Sequence, residues 1–427
     1  MKKCRTSKGE KETTASRSVA IQMPLRLLEM FGRIEESFFE LCVEAGQQVL
    51  GTMMEEDRER LCGPKWQHNS EREALRGGSV RGEVTLGGRR IALQRLRARS
   101  VDGSEVRLPS FAWAAKRDPL ERRTMEAVAI GVSSRRYARS LDDLPPTIEE
   151  RSTAKSSVSR RFVARSAALL DEWLGRPLDE LELTVVMIDG IFFDERCVLI
   201  ALGIDTQGRK HVLGLHEGST ENASVARALI GNLIDRGLDS SKPMLFAIDG
   251  GKGVRSAIRS FWEERAVIQR CQVHKRRNVA DHLPQDARGR AMAAMKRAYD
   301  SADYAKAKGQ LERLAASLER EHPGAAASLR EGLEETLTLQ RLGITGPLYR
   351  TLRSTNSIEN MNGSVTDFTH NVKRWQGGKM VLRWIGSALH EAQGHFRRIR
   401  GHKDLPKLVA ALTSAGKELD KKVKRAA

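Results

Sequence analysis

Two apolar runs of the same design lie in the middle of the chain. Thr184-Val-Val-Met-Ile-Asp-Gly190 sets four apolar residues in succession and ends on Asp189. Met244-Leu-Phe-Ala-Ile-Asp-Gly-Gly251 repeats the pattern and ends on Asp249. Runs this short, rich in Val, Ile and Phe and closed by glycine, predict buried strands rather than helices. Between them, Arg196-Cys-Val-Leu-Ile-Ala-Leu-Gly-Ile-Asp205 predicts a second long strand. A Thr206-Gln-Gly208 turn then leads into Arg209–His216, which pairs back, so the first three strands form an antiparallel meander. Asn222 to Leu238 changes to helical spacing, with Ala226, Leu229, Ile230, Leu233 and Ile234 on one face. After Asp249 come a helix from Gly253 to about Glu264 and a short strand, Ala266–Cys271. A meander followed by helix, strand, helix and strand predicts an α/β fold with a mixed sheet.

The flanks have other textures. Residues 1–20 are polar and aperiodic, reading as a disordered basic arm. Met23 to Cys62 carries apolar residues at helical spacing, a packing or dimerisation element. Val80–Leu86, Gly87-Gly88 and Arg89–Arg95 read as strand, turn, strand, and Ser104–Leu108 adds a further strand stopped by Pro109. Arg89, Arg90, Arg95, Arg97 and Arg99 give this β module a basic face, either for phosphates or simply solvated. Short helices follow at Leu120–Ile130, closed by Gly131, and from Val132 to Ala138, with Ser133 as its N-cap. After Pro145-Pro146, Ser152 to Arg165 places Val158 and Phe162 inward and Ser157, Arg160, Arg161 and Arg165 among its polar positions. That is the pattern of a helix-turn-helix recognition helix, for which small hydroxyls and arginines suit a major groove; a basic surface helix is the alternative. Pro284 to about Leu342 is purely helical and rich in Ala, Arg, Glu and Leu. The resulting divisions are an arm (1–20), a helical region (21–78), a β module (79–117), a helix-turn-helix region (118–178), a core in two parts (179–283 and 346–400) around an all-helical insertion (284–345), and a basic tail (401–427).

Composition narrows the partners. The 427 residues include 73 Lys and Arg against 55 Asp and Glu, a net charge of +18, which favours a polyanion. No apolar run reaches membrane-spanning length, and Met1-Lys-Lys-Cys-Arg lacks the apolar centre of a signal peptide, so nucleic acid is the expected partner and a membrane is not. Five scattered cysteines suit a reducing cytosol and offer no disulfide framework.

Against that basic background the two aspartates carry the candidate chemistry. A carboxylate after so apolar a run is costly to desolvate unless it is paired, hydrogen-bonded or bound to a cation. Ligands collect where strands of an open α/β sheet end, so Asp189 and Asp249 make a cation site that lacks a third ligand. Asp194, Asp205 and Glu217 are nearby acids for which turn or surface roles fit better. Cys271-x-x-His274 has half the ligands of a zinc site, but no second pair stands at ligand spacing, so metal binding is not expected there. A structural or DNA-orienting role suits His274, beside Lys275, Arg276 and Arg277, which are expected to face phosphates. Gly250-Gly251-Lys252-Gly253 lacks phosphate-loop spacing and reads as a tight turn opening a helix. Glu359 stands among Asn356, Asn360 and Asn362 in a helix that Ser354 or Thr355 can cap, with Glu359 in its second turn. Arg374 and Trp375 follow, the tryptophan either stacking on a base or packed.

Taken in order, the two strand-Asp-Gly segments, Arg270-Cys-Gln-Val-His-Lys-Arg-Arg-Asn278, the helical insertion and Arg353-Ser-Thr-Asn-Ser-Ile-Glu-Asn-Met-Asn362 resemble the mutator-type insertion-sequence transposases of the DDE superfamily. The similarity runs from about residue 120 to 400. It implies a ribonuclease H-like core interrupted by an all-α insertion and preceded by a DNA-binding region. The family triad falls on Asp189, Asp249 and Glu359, and its Cys/Asp-x-x-His element on Cys271 and His274, with Asn278 and Asn356 in the same signatures. Such a triad holds Mg²⁺, for which Mn²⁺ substitutes, and a two-metal site suits in-line displacement at phosphorus. The implied partners are double-stranded DNA (terminal inverted repeats and target) and further copies of the chain, with no small-molecule substrate and a circular donor intermediate. The competing readings are a non-catalytic DNA-binding descendant and a nuclease of the same fold that cuts without joining.

Overall fold

A computed structural model describes residues 38–67, 72–86, 89–100, 102–116, 150–151, 155–220 and 222–426. The chain divides into two compact units, residues 1–128 with 132–158, and residues 129–131 with 159–427. In the first, a long hairpin pairs β1 (Ala74–Leu86) with β2 (Arg89–Ser100), and β2 also pairs with the short β3 (Glu105–Val106) and β4 (Glu150–Arg151). The helix Phe38–Cys62 packs on it through Val43, Leu50 and Met54, against Val84, Ile91 and Ala98. Pro109 opens the helix Pro109–Lys116, as its fixed φ and missing N–H allow at a first helical position. Arg95 and Arg97 both pair with Glu105, at 2.6 and 2.9 Å, so part of the basic face is neutralised from within the unit. The arm at 1–20 and the helices expected at 120–138 lie outside the described residues.

The second unit is built on a five-stranded mixed sheet: β5 (Leu183–Phe193), β6 (Arg196–Asp205), β7 (Lys210–Gly218), β8 (Met244–Ile248) and β9 (Ala266–Arg270). Their order across the sheet is β7-β6-β5-β8-β9, with β5, β6 and β7 antiparallel and β8 and β9 parallel to β5. Cys197 to Leu202 of β6 are all fully buried, which explains why this strand reads as a continuous apolar run: both its faces are covered. On one face Val185 and Met187 join Ile200, Leu245 and Ala247 under helices that supply Leu170, Leu352, Ile358, Val365, Ile385 and Leu408. On the other, Val186, Ile188 and Phe246 meet Leu229 of the helix Ala223–Asp235 and Trp262 of the helix Lys252–Trp262. Asn222 caps the first of these, its side chain accepting from the backbone N–H of Ser224 and Val225 at 3.0 Å each.

The segment between the two parts of this core is helical as expected, with helices at Gln285–Tyr299, Tyr304–Leu318 and Pro323–Arg330 and two short turns. It has its own apolar centre, where Met295, Leu311, Leu329 and Leu337 surround Val279. Its far end is seated on β9 by buried polar contacts: Thr338 Oγ1 donates to Ile268 O (2.7 Å), and Leu339 N donates to Gln269 Oε1 (3.0 Å).

One boundary differs from expectation. Asp189 does not end its strand, because β5 runs on to Phe193, paired with β6 out to Arg196. What stops near Asp189 is the parallel neighbour: β5–β8 pairing reaches only Met187 and Ala247. Asp189 therefore sits where the sheet opens rather than where the strand ends.

Candidate active site

Side-chain alternation sets the first two carboxylates. Asp189 follows Val185 and Met187 on the same face of β5, and Asp249 comes directly after the end of β8, whose Leu245 and Ala247 join the same core. Val185 pairs with Leu245 and Met187 with Ala247, and Asp249, the first residue after β8, lies near enough to Asp189 for its charge to act on that carboxyl. Gly250 then turns the chain at φ 106°, where a Cβ would lie 2.1 Å from Arg270 Nε, so glycine is required on both counts. Gly251 N donates to Asp249 Oδ1 at 2.9 Å, and Gly251 takes the N-cap position of the helix that follows, the turn expected of the Gly-Gly-Lys-Gly stretch.

The third carboxylate comes from the helix Asn356–Thr369, which buries Ile358, Met361 and Val365 on the same face of the sheet. Its start at Asn356 puts Glu359 in the first turn, one turn earlier than expected. Residues three apart share a helix face, so Asn362 lies beside Glu359. Asn362 Nδ2 donates to Asp189 Oδ2 at 2.9 Å, while its buried Oδ1 has no partner. Thr355 precedes the helix, and its hydroxyl bonds Glu359 Oε1 (2.5 Å) and lies 3.4 Å from His274 Nδ1. His274 Nδ1 is itself 3.8 Å from Glu359 Oε1.

The electrostatics follow from this crowding. Burial, then the charge of Asp249 and, to a lesser degree, Glu359, push the Asp189 carboxyl up to about 6. Burial also acts to raise the Cys271 thiol, but hydrogen bonds from His274 and Thr355 outweigh it and hold the thiol below its ordinary value. His274 is raised, first by its hydrogen bond to Cys271, against burial, and further by the charges of Cys271, Glu359 and Asp249. A half-buried carboxyl forced toward its neutral form by burial and by two further carboxylates is a donor set that a hard divalent cation would relieve. The chemistry of these oxygen donors suits such an ion.

Other residues singled out in the sequence are dispersed. Lys275 does not face outward: it is fully buried, its ammonium donating to Ser328 O and lying 3.7 Å from Glu331. The insertion folds over it, and burial lowers its pKa to about 8. Arg276 is half-buried, whereas Arg277, Asn278, Asn356 and Arg374 are exposed. Trp375 packs edge-on against Phe193, with ring centroids 5.0 Å apart. Ser157, Arg160, Arg161 and Arg165 lie in one helix, Lys155–Gly175, with Arg160 and Arg165 exposed and Leu170 and Trp173 in the sheet's core. The helices that would complete a helix-turn-helix lie outside the described residues. Asp205 closes a turn by accepting from Arg209 N (2.8 Å) and Arg209 Nε (2.7 Å), and Glu217 pairs with Arg196. The sequence offers Asn362 only as an amide near Glu359 and Thr355 only as a helix cap; Thr355 does stand at the N-cap position, but its hydroxyl bonds Glu359 instead of a backbone N–H. Their signal was spacing within one motif, Asn362 three residues after Glu359 and Thr355 four before it.

An α/β unit that gathers acids at an opening in its sheet, within a chain of net charge +18, defines a protein equipped to act on a polyanion. Comparison with known proteins specifies which. Residues 29–398 match the Mutator family of transposases, and the chain belongs to that family. It is 28% identical over 239 residues to the transposase for insertion sequence element IS6120 of Mycolicibacterium smegmatis, covering 54% of this chain and 72% of that one. With the transposase for IS256 in transposon Tn4001 of Staphylococcus aureus it shares 26% identity over 357 residues, 80% of this chain and 87% of the other. The transposase for ISRM5 of Rhizobium meliloti is 29% identical over 234 residues, 54% of this chain and 57% of its own length. The protein is a DNA transposase by family.

Proposed function

We propose that this transposase binds the terminal inverted repeats of its own insertion sequence, cuts the 3′ ends and joins them to target DNA at one site formed by Asp189, Asp249 and Glu359. The observation that carries the reading is that two carboxylates from distant parts of the chain, Asp249 and Glu359, lie close enough to the half-buried Asp189 to add to the effect of burial in raising its pKa. The sheet order, three antiparallel strands followed by two parallel ones, supports a ribonuclease H-like core. The three acids would hold Mg²⁺, or Mn²⁺ in its place; the ions, when bound, supply a polarised phosphate and a stabilised leaving oxygen. The chain's own part is positional. Asn362 fixes one oxygen of Asp189 and Thr355 one oxygen of Glu359. Water then serves as nucleophile for cutting and a DNA 3′-OH for joining, with no covalent protein–DNA intermediate. The exposed Arg160, Arg165, Arg277 and Arg374 are the proposed phosphate contacts, and pairing of two element ends calls for more than one copy of the chain. The proposed setting is the bacterial nucleoid.

The test is Mg²⁺-dependent cleavage and joining of labelled element-end DNA by the wild type and by Glu359→Gln. Loss of both reactions with end binding retained is the expected result. Binding without any cutting by the wild type makes the protein a non-catalytic DNA binder. Cutting without joining makes it a nuclease, and normal cutting by the variant removes Glu359 from the site.

A further inference from the structure

Beside the three-acid site lies a second constellation of different chemistry. Cys271 Sγ, a ring nitrogen of His274 and a carboxylate oxygen of Glu359 all lie within 4.8 Å of one another. Cys271 is 1% exposed and fixed at the start of the helix Gln272–Asp281, its N–H donating to Ile248 O at 2.7 Å. The three-residue spacing places His274 in the first turn of that helix, directly over the thiol. The next backbone N–H, that of Gln272, donates to Arg353 O at 2.9 Å and ties the turn to the segment preceding Glu359. Thr355 Oγ1, between His274 and Glu359, helps hold the two side chains together.

We propose that Cys271, His274 and Glu359 form a second cation site, selective for a thiophilic divalent ion such as Zn²⁺, which shares Glu359 with the three-acid site. Zn²⁺ binds a thiolate at about 2.3 Å and imidazole or carboxylate at about 2.0–2.2 Å, so tetrahedral ligand atoms stand roughly 3.5 Å apart. The observed cluster needs a closure of about 1 Å on that scale. Rotation of the Glu359 side chain, 32% exposed, can provide it. With three protein ligands the fourth position stays open to water. Mg²⁺ prefers oxygen donors and has no affinity for the thiol, so the two sites sort hard from soft ions. An ion in the second site takes Glu359 away from the first; this consequence rests on the transposase reading given above, whereas the site itself does not.

The test is Co²⁺ titration of the metal-free, full-length protein under reducing conditions without added thiols. Thiolate-to-cobalt charge transfer gives a near-ultraviolet band that no all-oxygen site produces. One equivalent of Co²⁺ is expected to give the band, Zn²⁺ to abolish it and excess Mg²⁺ to leave it. Cys271→Ser is expected to lose it, and His274→Gln to lose it with the thiol retained, which guards against misfolding of either variant. Glu359→Gln is expected to weaken binding, and Asp189→Asn to keep the band. Absence of the band in the wild type, or its persistence in Cys271→Ser, overturns the site, and an unchanged Glu359→Gln titration overturns the sharing. Because the band is read without DNA, its loss leaves the Mg²⁺ cleavage result standing, and failure of cleavage leaves the band standing.

Discussion

Replacing Asp189 by Asn should make the metal-free protein more stable at neutral pH, although it removes a residue of the proposed active site. The amide keeps the shape and still accepts from Asn362 Nδ2, but it carries no charge. The carboxyl is raised from 3.8 to about 6 by burial and by its acidic neighbours. Its folded pKa lies above its unfolded one, so the unfolded chain releases the proton first as pH rises. The penalty on the folded state is therefore absent at low pH, grows between about 4 and 6 and is complete above that. A shift of about 2 units corresponds to about 3 kcal/mol, an upper figure. The gap between variant and wild type should approach that value near pH 7.5 and fall below about 1 kcal/mol near pH 4. In thermal unfolding followed by circular dichroism, the larger gap is on the order of 5–10 °C. Mg²⁺ should narrow it by stabilising the wild type more than the variant. A variant no more stable than wild type at neutral pH, or a gap that ignores pH, would refute the account of Asp189 as a carboxylate crowded by its neighbours.

Two further outcomes follow from named contacts. Asn362→Ala removes the donor that fixes Asp189, so end cleavage should slow on the order of 10- to 100-fold with DNA binding intact; wild-type rates would show that the amide has no part in positioning. Lys275→Met should leave DNA affinity unchanged and stability equal or higher, because a buried charge gives way to an apolar side chain of similar length. Since burial lowers the lysine's pKa to about 8, the wild type alone should gain stability as pH rises from about 8 toward 10.5, where the unfolded chain binds the extra proton. Weaker DNA binding by the methionine variant would return Lys275 to the DNA-facing set.

What the sequence determined by itself is whatever neighbouring residues settle among themselves. Val185 to Ile188 and Met244 to Ile248 are apolar at every position, so they had to be buried on both faces. The apolar stripe from Ala226 to Leu233 had to be helical, and Gly250 had to turn the chain. Those local facts were enough to put each of two aspartates directly after a buried apolar run. The third acid was different. Glu359 in isolation has the pattern of a solvated helix charge, and its place in the site came from resemblance to a family. Tertiary structure decided the contacts around it: Asn362 reaches across 173 residues of sequence to Asp189, and His274 reaches 81 to Thr355. The same holds where the sequence misled. Lys275-Arg276-Arg277 reads as one basic run, yet Lys275 is enclosed because Ser328, 53 residues on, folds over it. Asp189 reads as a strand end because the following Gly190 suggests a stop, yet β6 goes on pairing after β8 has left. Periodicity reports which way a side chain points from its own backbone, whereas the burial of a charge and the partners of a carboxylate depend on segments that only the folded chain brings together.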